Sequence, residues 1–438
     1  MIKRLLSAGC GLALAAWTLG AASRITAQEN VADAPRPTRA AQIPALPDRL
    51  PDKPSQSPAA TIALGPLGFS APGSVYMGLR YSLVSLDFMD EDHLLFTFRV
   101  PGLIHRNLGE REAGEYEERQ IRALVLELPT GAVKAEALWT VHDRQRYLWM
   151  LADGRFLLRD RESLELGDAS LELKPFLRFP GPLLGLEMDP DQKFLVTNSR
   201  EAATRSPGNT EDDPNTESGS LIAVRVLRRD TGEVMLVSHS KSIAHLPINS
   251  EGYLEVTRAL SDRWLLKLNY LSGGGRILGQ VESACAPAYD FLSQRELLLT
   301  TCTMDGAGLL TAITTDSKRL WEAVTSDATI WPLVIKSSGG LRMAREALSV
   351  THPVTSNTML SPDEIKGQFV EVMDAADGKL VLEAAASPIL DGGGNVAISP
   401  SGRRLAVLSG GAIQLFNLPP PLPLPGVAAA PQSSPSTH

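Results

Sequence analysis

The chain has 438 residues, 43% of them hydrophobic and 5% aromatic, with a formal charge of −8 at pH 7. That length and apolar content support a large core packed mostly by aliphatic side chains. So acidic a balance leaves no electrostatic footprint for nucleic acid or for an anionic membrane surface.

At the N-terminus, Lys3 and Arg4 precede an apolar run rich in small residues, from 5 to 22. Gly20-Ala21-Ala22 or Ile25-Thr26-Ala27 would suit cleavage. Residues 1–27 therefore read as an export signal whose removal leaves no membrane span. The alternative is an uncleaved anchor, for which the run is short. Cys10 lacks the apolar lead of a lipoprotein box, with Ser7 where Leu is expected. Residues 28–60 carry Pro35, Pro37, Pro44, Pro47, Pro51, Pro54 and Pro58, which fix φ and remove donors. That segment reads as an extended linker, and residues 419–438 read as a tail of the same kind.

Between them one pattern recurs: an apolar strand, a polar turn, a second apolar strand. Residues 86–88 and 94–96 flank Asp90-Glu91-Asp92, and 147–150 and 156–158 flank Ala152-Asp153-Gly154. Residues 184–188 and 194–196 flank Asp189-Pro190-Asp191. The same holds for 254–256 with 264–266, and for 289–291 with 297–299. A second hairpin type turns at Pro129-Thr130-Gly131, Asp230-Thr231-Gly232, Asp316-Ser317 and Ala376-Asp377-Gly378. Gly, Asp and Ser supply the positive φ or side-chain caps that tight turns need. Two hairpins make a four-stranded antiparallel unit. Seven units fit: 86–139, 141–179, 183–239, 243–281, 285–324, 330–384 and 389–418. Four-stranded units repeated radially form a β-propeller. The last unit shows three strands, so a segment near 61–64 or 75–79 is expected to complete it and close the ring. Six or eight blades, or two stacked sandwiches, are the competing architectures. The expected fold is all-β, a single propeller over residues 61–418.

Ser399-Pro400-Ser401-Gly402-Arg403-Arg404-Leu405, Asp189-Pro190-Asp191-Gln192 and the downstream Thr-Gly and Asp-Gly turns resemble the YVTN and WD40-like propellers exported by bacteria. The resemblance runs from about residue 60 to 418 and implies a fold shared with quinoprotein-dehydrogenase-like propellers. The Trp-Asp dipeptide that often ends a WD40 repeat is absent, so no WD40 partner is implied.

Label the strands of a blade a to d from the axis outwards. The a–b and c–d turns then lie on one face, and the b–c and d–a connections on the other. Three b–c connections are long: 101–120, 201–220 and 349–366. They belong to the first, third and sixth blades. Long loops gathered on one rigid face are where binding is usually built, although solvated decoration has the same composition. His105, Arg106, Arg111, Arg119, Arg200 and His352 are the candidate binding residues.

If Leu292 opposes Arg295, the register brings Cys285 opposite Cys302, within disulfide reach in an exported protein. A bulge near Pro287 would shift that register, and two free thiols are the alternative. No nucleophile elbow, zinc spacing, haem motif or phosphate loop is present, so no catalytic residue, metal or cofactor is expected. The carboxylates between Glu211 and Glu217 lack the central glycine of a calcium loop. The expected function is therefore a monomeric, non-catalytic binder of a protein, peptide or glycan. The alternatives are an enzyme using the central channel, such as a hydrolase, lactonase or quinoprotein, and an envelope scaffold.

Overall fold

The computed structural model describes residues 56–71, 84–100, 119–142, 146–201, 221–303, 308–324, 329–337, 340–352, 362–390 and 393–422. The chain divides into Met1–Lys53 and Pro54–His438, and all described residues lie in the second unit. The export signal, most of the linker, the alternative closing strand near 75–79, the carboxylates of 211–217 and the tail beyond 422 lie outside the described residues.

Strand β1 (Ala60–Ala63) pairs with the last strand of the chain, completing the sheet formed by β25 (Val396–Ile398), β26 (Arg404–Ser409) and β27 (Ala412–Asn417). This is blade seven, and the partnership Ile62↔Ile413 fixes its closing register. Blade one holds β2 (Ser85–Phe88), β3 (His93–Arg99), β4 (Arg119–Glu127) and β5 (Ala132–Val141). Blade two holds β6 (Leu148–Met150), β7 (Phe156–Asp160), β8 (Ser163–Gly167) and β9 (Leu173–Arg178). Blade three holds β10 (Leu183–Met188), β11 (Phe194–Glu201), β12 (Leu221–Arg228) and β13 (Val234–Ser240). Blade four holds β14 (Gly252–Arg258), β15 (Arg263–Tyr270) and β16 (Gly275–Glu282). Blade five holds β17 (Ala288–Ser293), β18 (Glu296–Cys302), β19 (Gly308–Thr314) and β20 (Arg319–Val324). Blade six holds β21 (Thr329–Lys336), β22 (Arg342–Val350), β23 (Ile365–Asp374) and β24 (Leu380–Ala386).

Burial follows radius. The second strand β3 is covered on both sides from Leu94 to Phe98, whereas the outermost strand β5 alternates toward solvent. The same contrast separates β11 from β13. Seven hydrophobic clusters follow, one at each junction between neighbouring blades. Ile62, Leu86, Ala406 and Ile413 pack the junction of blades seven and one. Trp139 and Phe156 pack that of one and two, with ring centroids 5.4 Å apart. The ring closes because the seventh junction is as apolar as the other six. Burial of apolar area at about 25 cal/mol per Å² makes these junctions the main stabilising element.

Blade four departs from the expected pattern. The hairpin of residues 254–256 and 264–266 here joins β14 and β15, the second and third strands of the blade, whereas in the other blades the corresponding hairpin joins the first and second. The inner position is taken by the irregular stretch 244–249, which makes one bridge, Ile248↔Tyr253. Pro247 cannot donate to a ladder, so a regular strand cannot form there. Side chains hold the stretch instead: Asn198 Oδ1 accepts from Ala244 N at 2.9 Å, and Asn198 Nδ2 donates to the Ala244 carbonyl at 3.0 Å.

The a–b turns form a contact belt around the axis on one face. Gln192 Oε1 accepts from Ala152 N at 2.6 Å, joining blades three and two. Gln294 Nε2 donates to Asp189 Oδ2 at 2.8 Å, while Asn249 Nδ2 donates to the Gln294 carbonyl at 2.9 Å. Gly340, with φ +70°, lies so near Leu292 that a Cβ would come within 1.9 Å of its carbonyl oxygen. Arg342 Nη1 donates to the Gly402 carbonyl at 2.8 Å.

Candidate functional site

The three long connections join β3 to β4, β11 to β12 and β22 to β23. Each links a second strand to a third, so all three leave the ring on the face opposite the turn belt. His105, Arg106 and Arg111 lie outside the described residues. Arg119, the first residue of β4, is 5% exposed, so its side chain lies within the blade at the foot of the loop. Arg200 is the penultimate residue of β11, the second strand of blade three, where its N–H donates to the Pro182 carbonyl at 2.9 Å. His352 is half exposed, 3.7 Å from Glu364. These three residues stand on blades one, three and six, at the rim of one face.

The inner strands place a second set of groups around the axis. Glu187 of β10 lies 2.9 Å from His245 Nδ1, and the Tyr289 carbonyl lies 2.8 Å from His245 Nε2. Both ring nitrogens therefore face acceptors, which only the doubly protonated imidazolium can satisfy. Desolvation opposes that charge, but the hydrogen bond and charge of Glu187 outweigh it, and the His245 pKa rises to about 9. Next along the ring, Lys336 Nζ donates to Asp290 Oδ2 at 2.7 Å and to the Phe291 carbonyl at 2.6 Å. A polar chain thus runs across blades three, four, five and six.

Asp87 stands on β2 of blade one, Arg146 just before β6 of blade two and Glu346 on β22 of blade six. Arg146 lies within charge range of both carboxyl groups. Neither carboxylate comes within ion-pair contact of its guanidinium among the described residues. Arg146 Nε donates to the Leu148 carbonyl at 3.0 Å, and Trp149 lies 5.3 Å from the guanidinium carbon. Arg146 keeps accessible surface, yet desolvation disfavours its charged form. Burial raises the Asp87 pKa, against the opposing pull of the Ser85 hydrogen bond and Arg146. Burial also pushes Glu346 up to about 8, with Arg146 pulling the other way. Glu346 is fully buried, and its Oε1 has no hydrogen-bond partner. Gln368 Nε2 approaches the other oxygen at 3.4 Å and donates to the Leu390 carbonyl at 2.9 Å.

The sequence did not point to these groups. Their only signal is a charged residue at an alternating position of an inner strand, as in Leu86-Asp87-Phe88 and Leu186-Glu187-Met188. Which of them meet depends on blade order.

Cys285 and Cys302 are joined, with Cα atoms 5.5 Å apart. The register differs from the one expected. Ser293 opposes Glu296, and an extra residue at Leu292 shifts the ladder so that Ala288 opposes Thr300. Before β17 the chain shifts again, where Ala284 N donates to the Cys302 carbonyl at 2.9 Å, and this brings the two sulfur atoms together. No group of three or more His, Cys, Asp or Glu side chains placed to hold a metal occurs among the described residues. No helix among them is long and apolar enough to cross a membrane.

No protein-family model matches the chain, and no curated protein matches its sequence. Solved propeller structures do resemble it. An oligogalacturonate lyase in complex with manganese is 14% identical, with a TM-score of 0.45, over 77% of this chain and 96% of that one. The C-terminal WD40 domain of Sif2 is 10% identical, with a TM-score of 0.41, over 83% of this chain and 98% of that one. The acylaminoacyl peptidase of Pyrococcus horikoshii is 10% identical, with a TM-score of 0.44, over 77% of this chain and 50% of that one. These are likenesses of fold and carry nothing about activity.

Proposed function

We propose that this protein is an exported, monomeric, non-catalytic binding module that receives a protein, peptide or glycan on its b–c face without a cofactor. One observation carries the reading: the three long connections all join second strands to third strands, and so share a face. The opposite face is occupied by short turns that bind one another. A rigid ring with long loops on one side suits recognition of a partner too large to enter the channel. The disulfide supports an oxidising compartment. The test replaces residues 100–118, 202–220 and 353–361 in turn by short Gly-Asn linkers and measures capture of partner by the purified chain. Loss of capture with an unchanged melting temperature supports the reading; undiminished capture by all three variants refutes it.

A second reading has its own support. Burial pushes the Glu346 carboxyl up to about 8, the kind of perturbed acid that catalysis uses. A channel enzyme would lose turnover on Glu346→Gln and keep it when the loops are shortened.

A further inference from the structure

The junction between blades three and four is the least filled in the ring: its cluster, Phe194, Val196, Val224, Val226 and Ile248, is the smallest. The cause lies in β14. The second strands of the other blades each carry an unbroken buried run, whereas β14 alternates between buried and half-buried positions. Leu254, Val256, Leu266 and Leu268 pack toward blade five. Side chains alternate across a sheet, so Tyr253, Lys267 and Asn269 turn toward blade three. A cavity of about 510 Å³ opens there, beside the turn between β15 and β16. Those three residues, with Tyr270 and Leu271, line it from blade four, and Leu236 lines it from β13 of blade three. Gly273, Gly274 and Gly275 form the remaining wall. A Cβ added at Gly273 or Gly274 would meet nothing within 4 Å, so that wall is bare backbone beside open space. Small-molecule sites typically enclose ~300–1,000 Å³, and this cavity falls within that range.

Of the lining side chains only Lys267 is charged. It makes no ion pair or hydrogen bond among the described residues. Glu255 stands opposite it in the ladder, but Glu255 Oε2 accepts from Asn269 Nδ2 at 2.8 Å. Glu251, at the start of the same blade, lies 3.6 Å from Arg276. The nearby carboxylates are thus engaged elsewhere, and the ammonium is left to the cavity. We propose that this cavity binds a small aromatic carboxylate. Its carboxylate meets Lys267 in a charge-assisted hydrogen bond. Its ring lies among Tyr253, Tyr270, Leu236 and Leu271, where aromatic and aliphatic faces offer apolar contact and the glycine backbone leaves room for a flat body. A neutral ring would leave the ammonium without a counter-charge, an aliphatic dianion would leave the tyrosine and leucine faces against water, and a cation would be repelled. The cavity adjoins a c–d turn, on the face opposite the long b–c loops, so this proposal and the one above fail separately.

The experiment is calorimetric titration of the full chain at pH 7 with benzoate, indole-3-acetate and naphthalene-2-carboxylate, beside indole, succinate, tryptamine and cellobiose. At least one aromatic carboxylate binds, and more tightly than any of the other four. Lys267→Met weakens it about ten-fold or more, the worth of one charge-assisted hydrogen bond. Lys267→Arg, which keeps the charge, retains most of the affinity. Leu236→Trp, which fills the cavity from the neighbouring blade, abolishes binding, while shortening of the 100–118 loop leaves it unchanged. Circular dichroism melting reports whether each variant folds. If a variant does not, chemical footprinting of the native chain decides: the bound carboxylate slows acetylation of Lys267 by acetic anhydride and leaves that of the exposed Lys193 unchanged. An absence of binding by all three aromatic carboxylates overturns the proposal. So does tighter binding of indole, succinate, tryptamine or cellobiose, or binding indifferent to both Lys267→Met and Leu236→Trp.

Discussion

The backbone N–H of Ser401 donates to Glu91 Oε1 at 2.7 Å, joining turns of the last and first blades across 310 residues of chain. Arg404 reinforces the joint by donating through Nη1 to the Glu91 carbonyl at 2.5 Å and to Asp92 Oδ1 at 3.2 Å. The turn belt is thereby closed at the same junction that β1 closes at the rim. Glu91→Ala is expected to lower unfolding free energy by about 1 kcal/mol, with Glu91→Gln costing less. Urea unfolding of the three proteins checks it.

Deletion of residues 1–64 removes β1 and with it Ile62 from the seventh junction. The exposed edge of β27 is expected to lower the melting temperature by several degrees and to promote association. Deletion of residues 1–55 alone should leave stability unchanged. Differential scanning calorimetry with light scattering separates the two.

Arg342 is fully buried, bonded to Asp374 Oδ1 at 2.7 Å and to the carbonyls of Gly402 and Pro419 at 2.8 and 2.9 Å. It pins blade six to blade seven. Asp374→Ala leaves a buried cation without its counter-ion and is expected to cost about 3–5 kcal/mol. Arg342→Met with Asp374→Leu removes both charges and should cost less than Asp374→Ala alone. Chemical denaturation of both proteins provides the comparison.

His245 and Glu346 both bind protons more tightly in the folded chain than in the unfolded one. His245 rises from 6.5 to about 9, so its contribution is full below pH 6.5 and is lost as pH climbs through 9. Glu346 rises from 4.5 to about 8, so folding loses stability as pH climbs from 4.5 through 8. Stability is thus expected to fall from pH 6 to pH 9.5. His245→Gln is expected to destabilise at pH 6 and to make little difference at pH 9.5. Glu346→Gln should do the reverse, with little effect at pH 4.5 and stabilisation at pH 9. Thermal melts across that range of pH follow both signs.

Closing a loop of 17 residues in sequence, the Cys285–Cys302 bridge is expected to contribute about 3 kcal/mol. Cys285→Ala with Cys302→Ala, compared with the native chain under non-reducing denaturation, measures it.

The architecture was readable because its signals are local. Asp189 shows why: its Oδ1 caps the turn by accepting from Phe194 N at 2.7 Å, so the Asp-Pro-Asp-Gln segment announces a hairpin without help from the rest of the ring. The inner stretch of blade four was not readable. Pro247 breaks its ladder, and Asn198 and Gln294, remote in sequence, hold it in place. The cysteine register was misjudged because the extra residue at Leu292 has no sequence mark. The pull of Arg146 on the Asp87 and Glu346 carboxyl groups was invisible, since the three residues lie on different blades. The loop residues His105, Arg106 and Arg111 follow from composition alone and lie outside the described residues.

The central functional claim is that the partner meets the b–c face. Site-specific photo-crosslinking tests it most directly, with the reactive group introduced in turn at Leu221 and His352 on that face and at Asp153 and Asp191 on the turn belt. Adducts with the partner at Leu221 and His352, and none at Asp153 and Asp191, are the predicted result. Adducts from the turn belt alone, or equally from both faces, would contradict it.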